Sequence, residues 1–148
     1  KIMTISSAIC NTFKQQILVG THNFTASSGD TFNLALYTSS ASLGAGTTAY
    51  VSTNEITNTA GSAYQPKGKV ITSVTPALDG SVACCDFADI SWTSASFTAN
   101  GCVIFNDDAA GDPAVCVVAF GGDKTVSSGT FTIQFPAADA SNAIVRIA

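Results

Sequence analysis

The sequence has few of the residues that catalysis needs. Charged residues make up 11% of the 148 positions, and His22 is the one histidine. Acid–base and nucleophilic chemistry need titratable groups gathered at one site. Here six Lys and Arg and ten Asp and Glu are spread between runs of small and β-branched residues. We therefore expect a chain that is not an enzyme and uses no cofactor.

Basic charge and long apolar runs are also scarce. A net charge of −4 and a pI near 4.5 disfavour nucleic acid as a partner, because binding its phosphates needs a basic face. The longest apolar run, Ala114 to Phe120, is well short of the roughly 18 residues that span a bilayer, so no membrane partner is expected. An apolar, weakly charged chain instead suits a subunit that buries its surface against other proteins.

The cysteines show no metal-binding spacing and no disulfide framework. There are five, an odd number, with no CxxC pair and no Cys/His pattern. Adjacent cysteines in a strand point to opposite faces, so a bridge between those two is disfavoured. We expect reduced thiols that fill core space in a protein made in a reducing cytosol, with a single inter-strand bridge left open. The five are Cys10, Cys84, Cys85, Cys102 and Cys116.

One short helix is predicted in the first twenty residues. Ser6 or Thr12 is a suitable N-cap, Phe13, Ile17 and Leu18 are assigned to one helical face, and Gly20 ends the segment. The segment 1–20 is therefore interpreted as a helix or contact arm at the start of a single domain, 1–148.

The remaining sequence alternates between apolar and polar residues and is punctuated by turn residues at roughly ten-residue spacing. Asn100-Gly101, between two alternating runs, is the strongest hairpin signal. No helix of crossover length separates the strands, so parallel α/β folds are disfavoured. We expect an all-β fold, an antiparallel β-sandwich that is jelly-roll-like. The predicted strands are Thr31–Tyr37, a brief strand in Thr47–Ile56, Lys69–Thr75, Ser81–Phe87, Ile90–Thr98, Cys102–Asn106, Ala114–Phe120, Thr130–Phe135 and Ala143–Ile147.

Few residues are candidates for a chemical site. Asp107, Asp108 and Asp112 share one loop and are a weak candidate calcium site, although the loop lacks the spacing of an EF-hand and a solvated hairpin loop is favoured. Asp86 and Asp89 would lie on opposite faces of a strand, so capping of backbone N–H groups is favoured over a glycosidase pair. His22, with no acidic residue or cysteine near it in sequence, is interpreted as a turn or interface residue.

Most aromatic residues stand at alternate strand positions and are assigned to the core. Tyr37, Tyr50, Tyr64 and Trp92 could instead anchor an interface or form a sugar platform, with core or interface packing favoured.

Four stretches of the sequence resemble a group of small virion proteins encoded by tailed bacteriophages, especially those of aquatic bacteria and cyanobacteria. The similarity runs over nearly the whole chain from about Phe13 onward. Its motifs are structural and carry no catalytic residues. The stretches are DTFNLALYTSSASLG at 30–44, TNE at 53–55, DFADISW at 86–92 with SFT at 96–98, and the ending FPAADASNAIVRIA at 135–148.

The resemblance implies a capsid decoration (cement) protein that sits on the outside of the major capsid protein lattice. The implied partners are the major capsid protein and a second or third copy of the chain, and the implied location is the virion surface. Such a subunit works by shape and burial, without titratable groups. Two alternatives stay open: a tail, tube or head–tail connector subunit, and a carbohydrate-binding β-sandwich used in attachment. The expected contact residues are Ile5, Phe13, Ile17, Leu18, Tyr50 and Tyr64.

Overall fold

Two antiparallel sheets pack face to face in the computed structural model, which describes residues 3–148. This confirms the all-β sandwich with one short helix; a jelly-roll connectivity is not confirmed. The larger sheet has the order β1-β7-β6-β2-β3 and the smaller one β4-β5-β8. Lys1 and Ile2 of the expected contact arm lie outside the described residues. The elements are β1 (Ala8–Ile9), α1 (Asn11–Leu18), β2 (Phe32–Tyr37), β3 (Lys69–Ile71), β4 (Ser73–Asp79), β5 (Val82–Phe87), β6 (Ile90–Asn106), β7 (Ala114–Ile133) and β8 (Val145–Ile147).

The predicted hairpin turn at Asn100-Gly101 is wrong, because β6 runs straight through it. Gly101 pairs with Tyr37 on one side and Ala119 on the other. A Cβ atom at Gly101 would lie 2.7 Å from the Val118 carbonyl oxygen and 2.8 Å from a methyl group of Ile5. The glycine is therefore needed for close packing of the N-terminal segment over the sheet, and not for a turn.

Two further turn signals prove to be bulges inside β7. Between the pairs Gly101–Ala119 and Ala99–Lys124, one residue of β6 faces four residues of β7. Gly121 and Gly122 supply the positive φ angles there. A second register shift includes Ser128, also at positive φ. Extra residues at positive φ are accommodated by a bulge in a paired strand, so β6 and β7 form one long bent hairpin in place of four predicted strands.

Strand β2 is buried on both faces along its whole length. On one face Phe32 stacks on Phe24, with ring centroids 4.3 Å apart, and packs against Phe87 of the smaller sheet. The other face is covered by the segment 38–68: the Tyr37 hydroxyl donates to the Val51 carbonyl oxygen, and Tyr50 stacks on Phe105 of β6. The strand predicted in Thr47–Ile56 is reduced to two isolated bridges, Ala49 with Pro113 and Tyr37 with Glu55. This long connection therefore acts as a third layer over the centre of the sheet.

Helix α1 begins after Cys10, which makes no side-chain capping hydrogen bond, so the predicted caps Ser6 and Thr12 are wrong. Phe13 is buried and Ile17 half-buried, whereas Leu18 is 85% exposed. Residues four apart share a helical face, and Leu18 lies well around the helix from Phe13. The single apolar face predicted for Phe13, Ile17 and Leu18 therefore holds for the first two only.

All five cysteines are buried and unpaired, as expected for thiols that fill core space. Burial raises the pKa of Cys10 to about 11 and the pKa values of Cys85 and Cys102 to about 12. A thiol with so high a pKa is protonated at neutral pH and a poor nucleophile.

Candidate interaction surface and polar clusters

The expected contact residues divide into accessible and buried ones. Leu18 is exposed, and Ile5, Ile17 and Tyr50 are half-buried. Phe13 and Tyr64 are fully buried, so the expectation that these two touch a partner is wrong. The accessible four stay predictions.

Tyr64 is buried at the edge of the larger sheet, where its hydroxyl accepts a hydrogen bond from a backbone N–H of β2 that has no strand partner. Strand β3 pairs with β2 only as far as Leu34, which leaves Leu36 beyond its end. The Leu36 N–H donates to the Tyr64 hydroxyl (2.8 Å), and that hydroxyl donates to Glu55 Oε1 (2.8 Å). Burial of a backbone N–H without an acceptor is costly, so the phenol does what a neighbouring strand would do.

Glu55 is the buried charge at the centre of this cluster. Its second oxygen accepts a hydrogen bond from the Tyr50 hydroxyl, 2.6 Å away. Burial, assisted by the hydrogen bond to Glu55, raises the pKa of Tyr50 to about 12, and burial raises the pKa of Tyr64 well above its usual range. Both phenols are therefore protonated donors at neutral pH. Sequence reasoning assigned Glu55 no role; the one signal was its place in the TNE stretch at 53–55.

The aspartate-rich loop between β6 and β7 is organised around a lysine. Lys67 Nζ lies 2.7 Å from Asp107 Oδ1 and 2.9 Å from Asp112 Oδ2, and these two hydrogen bonds raise its pKa. Asp108 instead accepts a hydrogen bond from the Thr31 N–H at 2.6 Å. The ammonium group stands where a calcium ion would have to bind, so the structure does not support the calcium alternative. Within residues 3–148 no group of His, Cys, Asp and Glu is arranged to hold a metal ion.

His22 belongs to a second polar cluster, at the same end of β6 as the aspartate-rich loop. The Asn106 Oδ1 accepts hydrogen bonds from the N–H groups of Asp108 and Ala109, which fixes the orientation of the amide. Its Nδ2 then donates to Asp30 Oδ2 (2.7 Å) and faces His22 Nδ1 (3.1 Å). His22 Nδ1 must therefore be an unprotonated acceptor, which puts the ring proton on Nε2.

The other ring nitrogen of His22 is also engaged. Its Nε2 lies 3.0 Å from Gln16 Oε1, to which it donates. Burial lowers the pKa of His22, and the nearby Asp30 carboxylate opposes this shift. The ring is a neutral structural link between α1 and the end of β6, in agreement with the turn or interface interpretation and not with a catalytic base.

Asp86 and Asp89 bind backbone groups, as favoured from the sequence. Asp86 accepts a hydrogen bond from the Phe87 N–H and lies 3.4 Å from the Ile144 N–H, and Asp89 accepts one from the Phe135 N–H. They hold the segment that follows β7 against the smaller sheet.

A carbohydrate-binding sandwich is expected to carry a cluster of exposed aromatic side chains, and residues 3–148 have no such cluster. Tyr37, Tyr64 and Trp92 are buried, and no aromatic residue is among the exposed large side chains.

Of the eight exposed large apolar side chains in residues 3–148, four lie at the end of α1 or on one face of the smaller sheet. Leu78 of β4 pairs across the sheet with Ala83, which pairs in turn with Ile147 of β8, so all three point to one face. Ile147 and Ile17 of α1 line the same depression. Leu18 and Val19 follow Ile17 in the chain and are exposed. We call the exposed members the apolar rim: Leu18 (85% exposed), Val19 (67%), Leu78 (73%) and Ile147 (52%).

The polar side chains of the clusters described above are hydrogen-bonded to one another or to the backbone. Comparison of the chain with protein-family models, curated proteins and solved structures finds no match in any of the three. Within residues 3–148 no helix has the length and hydropathy to cross a bilayer.

Proposed function

We propose that this chain is a non-enzymatic structural subunit of a tailed-bacteriophage particle, a decoration protein that binds the outside of the major capsid protein lattice. Two observations support the proposal: the sequence resemblance of residues 13–148 to small virion proteins, and the apolar rim. The rim is the observation that carries it, because exposed aliphatic side chains on a rigid sandwich are suited to adhesion.

The rim is large enough to matter energetically. Full burial of one aliphatic side chain contributes about 1.5–3 kcal/mol, and each rim residue is at least half exposed. Loss of rotational and translational freedom offsets much of this gain for one copy. Neighbouring copies on a lattice hold one another in place, so a modest contact repeated over a shell resists expansion. A dimer or trimer of the chain would raise this avidity further.

A tail, tube or connector subunit would use the same kind of surface, and copy number distinguishes it: a connector ring holds about a dozen copies, whereas decoration covers the shell. The carbohydrate-binding alternative has less support, since its aromatic platform is buried and its calcium loop is closed by Lys67.

Co-sedimentation with capsids assembled without this chain tests the proposal. Leu18→Ser removes the most exposed rim side chain. Val70→Ser is the matched control, because Val70 is also exposed, by 60%. Val70 pairs with Asn33, next to Phe32 in β2, so it lies on the face of the larger sheet that is turned away from the smaller sheet. We expect Leu18→Ser to weaken capsid binding about tenfold and Val70→Ser to leave it unchanged. Failure of the wild-type chain to bind capsids, or equal loss in both variants, would contradict the proposal.

A further inference from the structure

A cavity of about 120 Å³ lies between α1 and the smaller sheet. Its floor is the face of the sheet that carries Ala83, Cys85 and Val145, and its sides are Phe13 and Ile17 of the helix. Phe24 closes one end, with its ring edge-on to Phe13 at a centroid distance of 5.9 Å. The wall is complete with His22, Pro76, Cys84 and Ile147.

The imidazole of His22, the most polar side chain in this wall, has no free hydrogen-bonding atom. Both ring nitrogens of His22 are engaged, Nδ1 by the Asn106 amide and Nε2 by Gln16, so the ring presents only carbon to the cavity. The Cys84 thiol lies on the opposite face of the sheet from Ala83 and Cys85, where it donates to the Val82 carbonyl oxygen 3.6 Å away. Burial keeps Cys85 protonated, with a pKa raised to about 12.

A cavity with such a wall selects against polar occupants. A bound water needs two to four polar partners, which these side chains do not offer. A buried hydroxyl or amide without a partner costs free energy, so a ligand with such a group gains nothing by placing it inside. Apolar cavities of about 150 Å³ lined by Leu, Ile and Phe stay dry and bind benzene.

We propose that this cavity is a binding site for one small apolar molecule of about the size of benzene, an unsubstituted aryl ring or a compact branched hydrocarbon. Phe13 and Phe24 contact it edge-on, Ile17, Val145 and Ile147 supply aliphatic contacts, and the site recognises it by shape and by the absence of polar groups. The site shares Ile147 with the apolar rim, but the proposal does not depend on the capsid contact.

Titration of the full chain with benzene, followed through the methyl resonances of Ile17, Val145 and Ile147, tests this proposal. We expect saturable shifts with a dissociation constant of about 1 mM, a modest affinity for a ligand of six heavy atoms. Phenol should bind no more tightly than benzene, because the wall has no partner for its hydroxyl. Absence of saturation with benzene, or tighter binding of phenol, would overturn the proposal.

Two variants locate the site. Ala83→Leu fills the cavity and should weaken benzene binding about tenfold or more. Its control is Ala77→Leu, because Ala77 is exposed and pairs with Cys84, which places it on the opposite face of the same sheet. Val145→Ala enlarges the cavity and serves if Ala83→Leu does not fold; p-xylene should then bind about threefold or more tightly than to the wild type. Unchanged benzene binding in folded Ala83→Leu, or no gain for p-xylene in Val145→Ala, would place the ligand elsewhere.

Discussion

The substitution Tyr64→Phe tests how the segment 38–68 is fastened to the sheet. It deletes one oxygen atom from a fully buried ring and leaves the packing volume almost unchanged. Two groups lose a partner: the Leu36 N–H, which donated to that hydroxyl, and Glu55, which accepted from it. Both are buried, so water does not replace the lost hydrogen bonds without rearrangement of this layer.

The magnitude follows from these two losses. A buried N–H without an acceptor costs about 1–3 kcal/mol, and a hydrogen bond to a charged group contributes about 1.5–3 kcal/mol. Because the two are coupled through one atom, we expect a combined loss of about 3 kcal/mol in the free energy of unfolding. For a chain of this size that corresponds to a fall in Tm of roughly 6–12 °C.

Urea denaturation of matched variants measures this loss. Tyr50→Phe is the control, because it removes only a donor to Glu55 from a less buried ring, and about 1 kcal/mol is expected. Addition of Glu55→Gln to Tyr64→Phe should cost less than the sum of the two single losses, since they share one hydrogen bond. A loss below 1 kcal/mol for Tyr64→Phe, or strict additivity with Glu55→Gln, would refute this account of the cluster.

Three further predictions concern the sheet, the histidine and the aspartate loop. Gly101→Ala should lower the free energy of unfolding by about 1–3 kcal/mol, because the new Cβ is forced against Val118 and Ile5. Gly46→Ala is the control: its Cβ meets open space, so the Tm in thermal unfolding should not change. The pKa of His22 is lowered in the folded state, so the unfolded chain binds more protons as pH falls below about 6.5. The free energy of unfolding should therefore decrease below that pH. A His22→Gln variant should lack this part of the decrease. Calcium should leave the Tm of the wild type unchanged in scanning calorimetry, because Lys67 occupies the aspartate loop.

Each of these has a clear contrary result. Equal stability of the two glycine variants would mean that β6 is not continuous at Gly101. An identical pH profile with and without His22 would mean that its Nδ1 is not held unprotonated by Asn106. A calcium-dependent rise in Tm would mean that Lys67 gives way to the metal.

The fold class followed from local patterns, since alternation and turn residues depend on neighbours in sequence. Strand β5 and the turn at Asp79-Gly80 lie where those patterns predict. Asn100-Gly101 and Gly121-Gly122 failed because a glycine serves equally in a two-residue turn and in a bulge, and only the pairing partner decides between them. That partner is distant in sequence, and its register is not readable from the alternation.

The polar clusters were beyond prediction for a related reason. Tyr64 was interpreted as a contact residue because an aromatic in a loop has no local partner, and the atom it serves is the N–H of Leu36, 28 residues away. Lys67 and Asp107 are 40 residues apart, and nothing in the loop itself predicts a lysine at its centre. The thiols were easier, since burial in apolar runs is a property of short segments.

Imaging of the complete phage particle at side-chain resolution tests the central claim most directly. The account predicts this chain on the outer surface of the shell in hundreds of copies, with Leu18, Leu78 and Ile147 covered by the major capsid protein or by a neighbouring copy. A particle without the chain, or one in which these side chains remain open to solvent, would contradict it.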